Sequence, residues 1–383
     1  MLIIFPDLSK VISKEIHRHN EAEKSKQRKQ LIDLASKIPT ETWDLKYQNM
    51  PIKEKYKVVF IVAALGESSY AEHFKYGAEL MGWEVKLYIN YPVSREDEIL
   101  AFDPDMIITV PHSTYTNSPK LSSHRSKKYI INFMGYNYLE NHPDKFLPFH
   151  AVMTALPSVD LFAQLFKKQN KPFNGFRILP SVPGDRFTHT AEPINIMWSG
   201  TNWDTLRASD KYNEFLTLLS TNLPIKIYGP YNAYSFLREG VYNGFIAPGP
   251  ENLRAMRDNG IYLAVHGDHH YEDDTPSIRL LEALAANVIV ITDKLPFIIK
   301  NFGEDVLYFD NKLEPEAMYQ EIRKHFEWIK NNPEKAKEKA ANAHKKYLAK
   351  FSFEQYLTKI AKMHEYILMQ EKEMKIKYPL GYF

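Results

Sequence analysis

The stretch HGDHHYEDDTPSIRLLEALAANVIVITD concentrates the side chains best suited to chemistry. Thr275 is a good N-cap, and Pro276 follows at the first helical position, where proline's missing N–H costs nothing. The backbone N–H groups of Ser277 and Ile278 then stand at a helix N-terminus. Such an end binds a diphosphate through those donors and through the positive pole of the helix dipole. Glu282 lies five residues beyond Ser277, about 8 Å along the axis at 1.5 Å per residue. That is roughly the reach from phosphate to ribose, and a carboxylate there can accept bonds from two neighbouring hydroxyls. The same pattern also fits a capped surface helix with a solvated glutamate. The fold around it has to decide.

His266, Asp268, His269, His270, Glu272, Asp273 and Asp274 crowd the segment ahead of this helix and invite a metal reading. Adjacent histidines lack the i, i+4 spacing of a helical zinc pair. Spacing alone therefore assigns no metal ligand.

The elements that must position these groups read as strand and helix in alternation. KVVFIVAAL is an almost continuous apolar run, as in a parallel strand buried on both faces. AEHFKYGAELMGW then reads as an amphipathic helix closed near a glycine, and EVKLYI, DMIITV, KYIINFM, AVMTAL and FRILPS continue the series. A second series runs through INIMWSG, PIKIYGP, NGFIAP, IYLAVHG, NVIVITD and VLYFD, with the TPS helix between two buried strands. Two such series specify two doubly wound parallel sheets, whose ligands lie at the carboxyl ends of the strands. The expected division is a helical extension over 1–50, a first Rossmann-like domain over 51–187 and a second over 188–364. The join falls near Pro183 to Pro193. The charged, periodic stretch 9–39 supplies the extension. From Pro315 the chain reads as helix, and Tyr356, Ile360, Met363 and Ile367 mark a last helix crossing back so that 365–383 joins the first domain.

The totals bound the partners. A net charge of +2 gives no electrostatic case for nucleic acid, and the absence of cysteine excludes disulfides and cysteine-ligated metal. No run approaches the roughly 18 apolar residues of a membrane span. The opening MLIIFPDLSKVISKE is too quickly charged for a signal peptide. A cytoplasmic location is expected. The basic stretch Lys24, Lys26, Arg28, Lys29 reads either as peripheral contact with anionic lipid on the inner membrane face or as a solvated helix face beside Glu21 and Glu23.

The segment from Asp274, through seven residues, to Glu282 and ALAANVIVITD resembles the donor-binding motif of GT-B glycosyltransferases. It is closest to the family 4-like and CgeB-like (spore maturation protein-like) groups, the latter for its T-P-S-x-R-x-x-E-A form. WSGTNWDTLR, IYGP, NGFIAP, NFGEDVLYFDN and RILPSVPGDRF are further matches. The resemblance implies an α/β GT-B fold and a transferase moving a sugar from a nucleotide-sugar, a UDP-sugar as first choice, to a hydroxyl on a glycan, lipid-linked or protein acceptor. It implies no cofactor and no essential metal. Carried over, Glu282 holds the donor ribose, Ser277 and Ile278 with Thr275 contact the diphosphate, and Asp274 faces the donor sugar. Gly200 and Thr201 form the tight turn near the phosphates, and one histidine, His266, is expected near the donor's sugar or phosphate. Arg207, with Lys211 second, neutralises charge on the departing nucleotide; the other reading of Arg207 is a surface helix residue. On the acceptor side the resemblance points to Glu67 as general base and to His112 beside the reacting sugar, each also readable as a plain loop residue.

Two departures leave the stereochemistry open. Thr201 and Asn202 stand where family 4 has an arginine, with the basic residue displaced to Arg207, and Asp274 replaces a glutamate. A nucleotide-sugar epimerase of the same fold and a non-catalytic GT-B-like binding protein are the alternative functions.

Overall fold

The computed structural model describes residues 45–62, 68–89, 96–109, 127–132, 149–155, 159–168, 170, 172–179, 181–183, 187–200, 206–237, 239–246 and 249–377. The expected helices at 9–39, the tail 378–383, and the candidate residues Glu67, His112 and Thr201 lie outside the described residues.

The first half contains β1 (Lys57–Val62), α1 (Ser68–Leu80), β2 (Glu84–Ile89), α2 (Glu96–Phe102), β3 (Met106–Thr109), β4 (Lys127–Asn132), β5 (Ala151–Thr154), α3 (Val159–Lys168) and β6 (Gly175–Arg177). Its six strands are all parallel in the order β2-β1-β3-β4-β5-β6. In β1 every residue after Lys57 is buried, and all of β3 and β5 is buried. Apolar β-branched runs of this kind suit strands covered on both faces.

The second half contains β7 (Asn195–Ser199), α4 (Asp210–Asn222), β8 (Ile225–Tyr228), α5 (Tyr231–Tyr234), α6 (Pro250–Asn259), β9 (Gly260–Ala264), α7 (Asp268–Asp273), α8 (Ile278–Ala285), β10 (Ile289–Asp293), α9 (Pro296–Phe302) and β11 (Leu307–Phe309). Its strands are again parallel, in the order β11-β10-β9-β7-β8. The chain leaves β7 toward β8 on one side and returns to β9 on the other. A crevice therefore opens between the carboxyl ends of β7 and β9. Gly260 makes the entry to β9 possible. Its φ is +77°, and a Cβ there would stand 1.7 Å from the Glu192 carbonyl oxygen.

The last three helices are α10 (Pro315–Asn331), α11 (Pro333–Lys350) and α12 (Phe353–Lys377). Tyr356, Ile360, Met363 and Ile367 are buried on α12, which packs on α1 of the first sheet. Gly77 lets the helices close, because its Cβ position is 3.4 Å from both Leu357 and Phe353. One hydrophobic cluster runs from Val58 and Phe60 through Tyr262 and Leu280 to Leu357 and Ile360, so both sheets and α12 share a core.

The join between the sheets is tied down by the C-terminal helices. Val182 N–H donates to the Tyr347 hydroxyl at 3.1 Å, and Phe353 N–H to the Val182 carbonyl at 3.2 Å. Further along, Ala191 N–H reaches the Asn287 carbonyl at 3.1 Å.

Candidate active site

The TPS helix begins later than its sequence suggests. Ser277, not Thr275, is the N-cap: its hydroxyl accepts from Leu280 N–H at 3.3 Å, and α8 starts at Ile278. Thr275 has a competing partner in the other half of the molecule. Its hydroxyl takes a bond from Arg177 Nη2 at 3.2 Å and faces the Ala155 carbonyl at 3.3 Å. Arg177 also donates to the Asp274 carbonyl at 2.8 Å. Asp274 itself adopts φ 45°, and its carboxylate accepts from Phe297 N–H at 2.7 Å, capping the first turn of α9.

Glu282 is fully buried. Arg279 donates to its Oε2 at 2.5 Å and Asn252 to the same oxygen at 2.8 Å, while His73 of α1 meets Oε1 at 3.2 Å. Burial pushes this carboxyl up, but the Arg279 guanidinium and the His73 hydrogen bond outweigh it and hold the group below the usual range. Sequence reasoning missed Arg279, Asn252 and His73 as its partners. Only the i, i+3 spacing of Arg279 was a usable signal. His73 and Asn252 are 209 and 30 residues away from Glu282.

A second group converges at the crevice between β7 and β9. Gly200 ends β7, donating to the Tyr228 carbonyl at 3.1 Å and accepting from the Tyr234 hydroxyl at 2.8 Å. Arg207 lies over it, with Nη1 3.8 Å from the point where a Gly200 side chain would begin. His266 follows β9 and is fully buried. Its Nδ1–H donates to Asp293 Oδ1 at 2.6 Å and its backbone N–H to Oδ2 at 2.8 Å. The His266 and His270 rings meet edge to face at 5.1 Å. Burial first, then the neighbouring His266, His269 and Arg207, push His270 down to about 2, so it is neutral at any working pH. Lys211, on the first turn of α4, is turned aside to the Asn311 and Lys312 carbonyls, both at 3.3 Å. Among the described residues no group of three or more His, Asp or Glu side chains is arranged to hold a metal ion.

The structure thus brings Arg207 over Gly200 and within electrostatic reach of His270, whose ring His266 meets. It places Asp274, Thr275 and Glu282 at contacts between the two halves. Residues 207–362 match a family model described as glycosyl transferase-like. A glycosyltransferase from Rickettsia africae superposes with TM-score 0.51 at 13% identity, over 82% of this chain and 99% of the other. Sucrose-phosphate synthase from Thermosynechococcus elongatus gives 0.51 at 10% identity, over 82% and 100%. The chain has the GT-B fold, and the matched residues 207–362 of its second half are similar to a glycosyltransferase domain. A DNA-modifying β-glucosyltransferase, solved with and without uridine diphosphoglucose, shares this GT-B architecture at TM-score 0.50 and 15% identity, over 80% and 99%. No curated protein matches the sequence. Among the described residues of this GT-B chain, no helix is long and apolar enough to cross a membrane.

Proposed function

We propose that this chain transfers a sugar from a nucleotide-sugar, a UDP-sugar first, to a hydroxyl on a glycan, lipid-linked or protein acceptor, without an essential metal. The observation that carries this reading is the placement of the Arg207 guanidinium over Gly200 and within electrostatic reach of His270, at the strand-order reversal of the second sheet. A fixed cation there stabilises the charge that grows on the departing diphosphate. Glu282 serves as the ribose carboxylate when the two halves separate. Separation removes His73 and frees Oε1, while Arg279 and Asn252 keep Oε2 in place. The family 4-like and CgeB-like resemblance agrees with this site, and the domain division at 187/188 places the join between the acceptor and donor halves.

The test is a thermal-shift series with UDP, GDP, dTDP and CMP. A ligand at 100 times its Kd adds about 2.7 kcal/mol to stability. No shift with any of the four removes the donor-site reading. With the active donor in hand, Arg207→Ala should lower kcat more than it raises KM, since its charge acts mainly in the transition state. A rise in KM alone would reassign Arg207 to ground-state binding.

A further inference from the structure

His266 Nε2 is a buried polar atom with no hydrogen-bond partner among the described residues. Leaving such an atom unsatisfied costs about 1 to 3 kcal/mol, and the surroundings oppose its turning elsewhere. The other ring nitrogen is held by Asp293, which also receives the His266 backbone N–H. Asp293 is in turn fixed by Asn311 Nδ2 at 3.3 Å on Oδ2. Asn311 Nδ2 also reaches the Tyr271 hydroxyl at 3.0 Å. Burial first, then the neighbouring Asp293 carboxylate, push that phenol up, so it stays protonated. The imidazole is therefore clamped at Nδ1 with Nε2 left over, two residues past the carboxyl end of β9, the end of the sheet at which the crevice opens. The titratable groups that meet it are Asp293 from β10 and His270 from α7; beyond them Tyr271 of α7 lies against Asp293, and His269 of α7 and Arg207 from the turn before α4 act on His270.

We propose that Asp293 and His266 form a binding dyad whose Nε2 takes up one proton when a nucleoside diphosphate enters, and donates it as a hydrogen bond to a phosphate oxygen. The inference rests on the transferase reading above and adds to it a residue pair and a proton. The chemistry decides the direction. A neutral imidazole with its proton on Nδ1 offers a lone pair at Nε2, and phosphate oxygens also offer only lone pairs. Contact between them requires a proton from solvent. The resulting imidazolium is flanked by the Asp293 carboxylate on one nitrogen and the phosphate on the other, so the added charge is compensated on both sides. His270 cannot substitute. Its Nδ1–H is committed to the Thr275 carbonyl at 2.8 Å, and proximity to His266 and Arg207 opposes a further charge on it. Asp293 is a positioning residue, acting through the ring it holds.

The experiment is calorimetric titration of the full chain at pH 7.5 with UDP, GDP, ADP and dTDP, each in two buffers of different ionisation heat. The tightest binder should be accompanied by uptake of about one proton. H266Q and D293N should bind it tenfold to a hundredfold more weakly, the range of one charge-assisted hydrogen bond, and without uptake. Tight binding without uptake in the native chain, or uptake that persists in H266Q, overturns the dyad and leaves the transferase reading standing. Failure of all four nucleotides to bind overturns both. Should the two variants not fold, the native chain with nitrogen-15 histidine decides the matter. One buried imidazole must move to the doubly protonated chemical shift on nucleotide addition, and unmoved histidine signals sink the proposal.

Discussion

At the scale of single residues, Glu282 joins the two halves of the molecule through one carboxylate. Its Oε2 is shared by Arg279 and Asn252 inside the second half, whereas Oε1 meets His73 across the interface. Removing one partner of a buried ion pair costs about 3 to 5 kcal/mol, since the other charge stays behind. Glu282→Ala should therefore lower unfolding stability by about 3 kcal/mol in urea titrations, besides weakening nucleotide binding. Its folded-state pKa is held below the unfolded value. The contribution is accordingly present above the unfolded carboxylate range and lost as pH falls through the folded pKa. The stability gap between native chain and Glu282→Gln should be full at pH 7 and shrink on acidification below about pH 4.5. A gap that stays constant from pH 7 to pH 3 would refute the ionised pair.

At the scale of elements, the strands were readable because burial on both faces demands uninterrupted apolar runs. VVFIV and IVI are such runs, and they form the apolar stretches of β1 and β10. The helix start was misread for a tertiary reason. Thr275 is as good a cap as Ser277 by local chemistry, but Arg177, 98 residues earlier, takes its hydroxyl. Asp274 is likewise claimed by the N-terminus of α9. His266 could be singled out by type, yet its partner Asp293 is 27 residues away, joined to it only once β9 and β10 pair in register. Gly260 tests the element scale directly. It combines a left-handed φ with a carbonyl 1.7 Å from any Cβ, so no side chain fits without moving Glu192 and the join. Gly260→Ala should cost about 3 kcal/mol or more, by strain and displaced backbone together. A loss below about 1 kcal/mol in denaturant titration would show that the join yields freely there.

At the scale of the molecule, the two halves are held by a clasp rather than by their join alone. Helix α12 leaves α11 beside the join and lies against α1, with Phe353 edge-on to Phe74 at 5.4 Å and the Tyr56 hydroxyl donating to Glu365 at 2.8 Å. Helix α1 has two tasks four residues apart. Gly77 receives Leu357, Phe353 and Pro183, while His73, one turn earlier, touches Glu282 of the second half. A disturbance of the α1–α12 contact should thus reach the cleft, where a transferase must exclude water so that transfer outruns hydrolysis of the donor. Leu357→Ala removes buried contact at this seam and should cost about 2 to 5 kcal/mol. Gly77→Leu should wedge the helices apart, because its Cβ already lies 3.3 Å from Pro183 Cγ. Both variants, assayed below their melting transitions, should show a higher ratio of donor hydrolysis to sugar transfer than the native chain. Nucleotide affinity should change less than that ratio, since Gly200, Arg207 and His266 sit on the far sheet. A ratio that stays fixed while stability falls would make α12 a prop for the first domain and nothing more. A ratio that rises with it ties closure of the cleft to the clasp.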